Sequence, residues 1–76
     1  MPRFFSGREI TKILSNKYGF EEISISGSHL KMRKNEDGLV ITVIIPLHKE
    51  IMIGTFHSIL RQARVEKKDF MEKSKE

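Results

Sequence analysis

Gly27-Ser28-His29-Leu30-Lys31-Met32-Arg33-Lys34 is the stretch from which the rest of the chain can be read. A Gly-Ser pair, suited to a tight turn, delivers a histidine onto the start of an alternating segment. Strand side chains point to opposite faces with a period of two, so Leu30 and Met32 share one face while His29, Lys31 and Arg33 share the other. The first face predicts contact with a core. The second carries an imidazole beside fixed positive charge and no carboxylate of its own, and suits a polyanion.

Working outward, the upstream chain predicts one helix and one strand. Ser6-Gly7-Arg8-Glu9 has the form of a capping box, and Phe5 and Ile10 have hydrophobic-staple spacing around it. Ile10, Ile13, Leu14 and Tyr18 then recur at three- and four-residue steps, the apolar stripe of a helix over roughly 7–18 that Gly19 stops. Phe20 to Ser26 predicts a strand with Ile23 and Ile25 on one face and Ser24 and Ser26 on the other. Downstream, Asn35-Glu36-Asp37-Gly38 reads as a hairpin turn. Leu39 to Ile45 follows as a third strand, apolar on both faces, and Pro46 ends it. Leu47 to Ile53 is expected to be a loop, and Thr55 the cap of a second helix with the stripe Phe56, Ile59, Leu60 and Ala63. Val65 and Phe70 have staple spacing around a short last helix, followed by a Lys/Glu tail.

This order predicts a single α+β domain over 1–76, α-β-β-β-α with a short C-terminal helix. Both main helices need apolar cover, so they are expected on one face of a three-stranded antiparallel sheet. The other face is left for a ligand or partner.

Composition narrows the classes further. Seventy-six residues make one domain, and a chain this short buries only about 60% of the surface it exposes when unfolded. With 38% hydrophobic and 32% charged residues it falls among folded, non-membrane chains. The longest apolar run, Leu39 to Pro46, is interrupted by Thr42 and far too short to span a bilayer. No signal-peptide core follows Met1-Pro2-Arg3-Phe4-Phe5. The absence of cysteine removes disulfides and thiolate metal sites and fits a cytoplasmic location. Fourteen basic against ten acidic residues give a net charge of +4, a weak pointer to nucleic acid by itself. The run of one histidine and three cations without an acid over 29–35 is the stronger one.

These pieces, in this order, resemble the HicA-type (YcfA-like) toxins, small messenger-RNA interferases of toxin–antitoxin pairs. The resemblance starts at Ser6-Gly7-Arg8-Glu9 and Tyr18-Gly19-Phe20 and continues through Gly27-Ser28-His29, Asp37-Gly38 and Pro46-Leu47-His48. It ends with Gly54-Thr55-Phe56, Ser58-Ile59-Leu60-Arg61-Gln62-Ala63 and Asp69-Phe70. It implies a fold like that of a double-stranded-RNA-binding domain and endoribonuclease activity on mRNA. It also implies a catalytic histidine at position 29 and a HicB-type antitoxin that covers the site. Two positions depart from the family pattern. Arg64 stands where helix two usually ends in glycine, and a side chain there makes a left-handed cap cost on the order of 1 kcal/mol. Met52 and Ile53 stand where many relatives carry basic residues, which trims the positive surface.

The candidate residues follow from their chemistry. An imidazole titrates near pH 6.5, so His29 can accept and return a proton at neutral pH, as RNA transesterification requires. Read without the resemblance it is more often an ordinary strand-surface histidine. Lys31 and Arg33 share its face and are candidate phosphate contacts, while Lys34 reads as a solvated edge lysine. Ser28, Lys49 and Arg61 extend the candidate RNA-binding set, with plain solvation the alternative for the last two. His48, just past Pro46, is expected either to approach the sheet face as a second acid or phosphate donor, or to bond to the loop backbone. His57 reads as exposed, and three histidines without carboxylate spacing make no metal site. No cofactor motif is present. Phe4 and Phe5 fit a staple better than base stacking. Val40 and Ile44 are the candidate protein–protein patch, unless the 47–53 loop buries them. Two other functional classes stay open: a non-catalytic RNA-binding domain, and a degenerate toxin that only binds its antitoxin. Gly54-Thr55-Phe56-His57, where duplex binders carry lysines, counts against the first.

Overall fold

The computed structural model describes residues 4–76, so the expectation drawn from Met1, Pro2 and Arg3 lies outside the described residues. The elements are α1 (Gly7–Tyr18), β1 (Glu21–Ser26), β2 (His29–Glu36), β3 (Leu39–Pro46), α2 (Ile53–Ala63) and α3 (Lys67–Lys73). The strands form one antiparallel sheet in the order β1-β2-β3. This is the small α+β architecture that the periodicity predicts.

Local chemistry accounts for the boundaries. The Ser6 hydroxyl accepts from the Glu9 amide at 3.0 Å, and the Glu9 carboxylate accepts from the Ser6 amide at 2.9 Å, closing the capping box. Gly19, at φ 77°, ends α1 in the left-handed region. Asp37 and Gly38 both take positive φ (51° and 81°), as a two-residue hairpin turn whose twist matches its strands requires. α2 ends on Arg64 at φ 59°, ψ 42°. The amides of Arg64 and Val65 donate to the Arg61 and Leu60 carbonyls, a complete Schellman closure built without glycine. The departure at position 64 therefore leaves the end of the helix intact.

The start of α2 differs from expectation. Ile53 opens the helix, Met52 is its N-cap without a side-chain bond, and Thr55 lies inside the first turn. Ile51 is buried and its amide donates to the Phe5 carbonyl at 2.8 Å. That tie fixes the chain just before the helix, and the first intrahelical bond, from the Phe56 amide to the Met52 carbonyl, closes three residues sooner than a Thr55 cap would allow.

Phe5, Ile10, Leu14, Leu30, Met32, Val43, Ile45, Ile59 and Phe70 are among the residues of one continuous core. Leu30, Met32, Val43 and Ile45 are each 0% exposed, and register places them on the same side of the sheet. Phe5 stacks on Phe56 at 5.5 Å and meets the edge of Phe70 at 5.4 Å, so its ring is part of the core. β1 lies beyond this cover, and Ile23 and Ile25 are exposed. Among the described residues, no helix is long and apolar enough to cross a membrane.

Candidate active site

The face of the sheet turned away from the core is set by β2. Its residues His29, Lys31, Arg33 and Asn35 pair with Pro46, Ile44, Thr42 and Val40 of β3. On the other side, Ser26 and Ser24 of β1 stand opposite His29 and Lys31. His29 and Arg33 are exposed and Lys31 is half-buried. The structure thus brings together the imidazole and the two cations that alternation places on one face. Lys34 is on the core side, where its ammonium sits over the Phe20 ring and 3.6 Å from Glu36. It does not join the site.

One carboxylate does reach this face. The register shifts between Glu22 and Ser24, and the extra residue puts Glu21 opposite Arg33, on the same side as His29. The face is therefore cation-rich toward its His29 end, with Glu21 beside Arg33 at the other. A bulge carries no local sequence signal here, because Ile23 continues the apolar alternation.

The end of the sheet holds the more informative geometry. His48 lies two residues past Pro46, the β3 partner of His29. Its ring centroid is 6.5 Å from that of His29, with the planes inclined at 69°. Three main-chain contacts fix it there. The Leu47 amide donates to the Ser28 carbonyl at 2.6 Å, and the Gly7 amide donates to the His48 carbonyl at 2.9 Å. Gly7 also packs so tightly that a Cβ would lie 2.1 Å from the Pro46 carbonyl oxygen. Both rings are exposed, and neither makes a side-chain hydrogen bond among the described residues. The loop backbone thus engages the carbonyl of His48 and leaves its imidazole facing His29.

The remaining candidates separate. Ser28 is the turn residue whose carbonyl holds the loop, and Lys49 is exposed beside His48. Arg61 is exposed on the last turn of α2 and His57 on the second, and neither is tied to the histidine pair. Val40 and Ile44 are exposed, not buried by the loop, so aliphatic groups flank the cations on the same open face. Gln62 of α2 accepts from the Ile44 amide at 3.1 Å and blunts the free edge of β3. Gly7 is the residue that sequence reasoning undervalued. Glycine at the first helical position, where proline is the favoured residue, was its one visible signal.

A cleft lies away from this face, between α1 and the C-terminal residues, lined by Lys12, Ile13, Lys17 and Lys73. At that end the Tyr18 hydroxyl donates to Asp69 at 2.5 Å, and Lys73 donates to the same carboxylate at 3.0 Å. Burial and this hydrogen bond push the Tyr18 phenol up from its ordinary value. The bonds from Tyr18 and Lys73 hold the Asp69 carboxyl below its own. This cluster joins α3 to α1, away from the open face.

Fold and site together define a small open-faced α+β domain whose polar groups converge on one end of an exposed sheet. The family model of the HicA toxin of bacterial toxin–antitoxin systems matches residues 7–65, and the chain belongs to that family. It is thus the toxin of a toxin–antitoxin pair, with an antitoxin as its implied partner. No curated protein matches it significantly.

Proposed function

We propose that this toxin is an endoribonuclease that cuts single-stranded mRNA by transesterification. The observation that carries the reading is the exposed imidazole of His29 on an open strand face beside Lys31 and Arg33. His29 takes the proton of a ribose 2′-hydroxyl, which attacks the adjacent phosphorus, while Lys31 and Arg33 stabilise the charge that develops on the phosphoryl oxygens. The nucleophile belongs to the substrate, so the step requires no metal. Ser28 and Lys49, at the same end, contact the RNA backbone. A strand of RNA lies across a surface and needs no pocket, which fits a site remote from that cleft. The partner antitoxin, of the HicB type, silences the enzyme by covering this face, where Val40 and Ile44 offer it apolar contact.

Purified protein incubated with an unstructured RNA tests this. Cleavage is expected with chelator present, to be absent when the cut nucleotide is 2′-deoxy, and to fall about 10²–10⁴-fold in His29→Ala with the fold retained. Cutting of the deoxy substrate would assign the attack to water. A protein that binds its antitoxin but cuts no RNA would be a degenerate toxin.

A further inference from the structure

We propose that His48 is the general acid of this reaction, an assignment that rests on the endoribonuclease reading and completes its proton balance. As the 2′-oxygen bonds to phosphorus, its proton passes to His29. The bond from phosphorus to the 5′-oxygen breaks, and that oxygen takes a proton from the His48 imidazolium. The products are a 2′,3′-cyclic phosphate and a 5′-hydroxyl, with one proton accepted, one donated and no water consumed.

Geometry selects this residue. Hydrogen bonds of about 2.6–3.2 Å from each ring, made to two oxygens on one phosphorus, span a gap of this size. The observed 6.5 Å between centroids and 69° between planes leave the rings neither stacked nor bonded to each other. Both imidazoles are exposed and free of side-chain hydrogen bonds among the described residues, so no protein partner must be displaced. The ties from Leu47 to Ser28 and from Gly7 to His48 fix the loop from both sides, so His48 is held rather than swinging on a tether. The nearby alternatives are poorer acids at neutral pH. Lys31 and Lys49 offer ammonium groups, a class of side chain that gives up its proton far less readily than an imidazolium near neutral pH, and proton transfer is most effective from a group matched to the working pH. Glu21 stands at the far end of the face, opposite Arg33.

The test uses two RNAs that differ in one atom at the cleaved linkage, either an ordinary 5′-oxygen or a bridging 5′-sulfur. Sulfur departs as a thiolate and does not require an acid. His48→Ala and His48→Gln are each expected to lose about 10²–10⁴-fold on the oxygen substrate and to regain nearly the full rate on the sulfur substrate. His29→Ala is expected to fail on both. The glutamine variant separates proton donation from phosphate binding, since it can donate a hydrogen bond but cannot give up the proton. Full activity of His48→Gln on the oxygen substrate, or equal impairment on both substrates, would overturn the assignment and leave the nuclease reading standing. If the unaltered protein cuts neither RNA, both readings fall.

Discussion

At the scale of the residue, Gly7 decides more than its size suggests. Alanine at an ordinary helical position gains about 1 kcal/mol over glycine. Here its Cβ would meet the Pro46 carbonyl oxygen at 2.1 Å, a backbone atom that no rotamer change can move. Overpacking of that kind costs about 1–3 kcal/mol, so the clash outweighs the propensity. Gly7→Ala is expected to lower the melting temperature and, by pushing the loop outward, to reduce RNA cleavage more than it reduces stability. Arg64 presents the opposite case. It holds a left-handed conformation at φ 59° in a helix end that is otherwise fully bonded. Arg64→Gly is expected to raise stability by up to about 1 kcal/mol in chemical denaturation, with no change in cleavage.

At the scale of the element, α3 is joined to α1 by Tyr18, Asp69 and Lys73 as well as by the Phe70 ring, which packs parallel to that of Tyr18 at 6.4 Å. The Asp69 carboxyl is held low by its bonds from Tyr18 and Lys73. Its contribution is therefore present above the ordinary carboxyl value, about 3.9 for an unfolded chain, and is lost as pH falls through the lowered native value. Tyr18 and Lys73 are shifted upward. Their share is present below their unfolded values and is lost only as pH rises through the raised ones. Asp69→Asn is expected to destabilise at neutral pH, with the difference in melting temperature shrinking as the pH is lowered through the acid range. A constant difference across that range would assign the effect to packing. Elements were also where sequence reading succeeded best. The capping box and the Asp37-Gly38 turn are short-range chemistry, complete within a few residues. The start of α2 was not, because the tie from Ile51 to Phe5 that sets it joins residues far apart in the chain.

At the scale of the whole molecule, the cations near the histidines are few. Binding of single-stranded RNA depends on salt with a log–log slope of about −0.7 for each phosphate neutralised. With Lys31, Arg33 and Lys49 as the contacts, the slope is expected to be about −2, and to flatten in Lys31→Ala. A much steeper slope would draw in Arg61 or the helix surfaces. The same scale limits what could be read in advance. Alternation alone placed His29, Lys31 and Arg33 on one side, since period two needs no tertiary information. The approach of His48 is not legible in the sequence, because it depends on how closely the start of α1 reaches the β3–α2 loop. Glu21 came to the open face through a bulge that leaves no mark on the pattern. The atoms that pin this loop are main-chain carbonyls, which every residue supplies, and amides, which every residue but proline supplies. The exposed side chains at 28 and 48 are thus free to change while the scaffold holds its shape, and new chemistry can be tried at that corner without rebuilding it. Position 7 is the exception: there, a single methyl group is enough to spoil the fit.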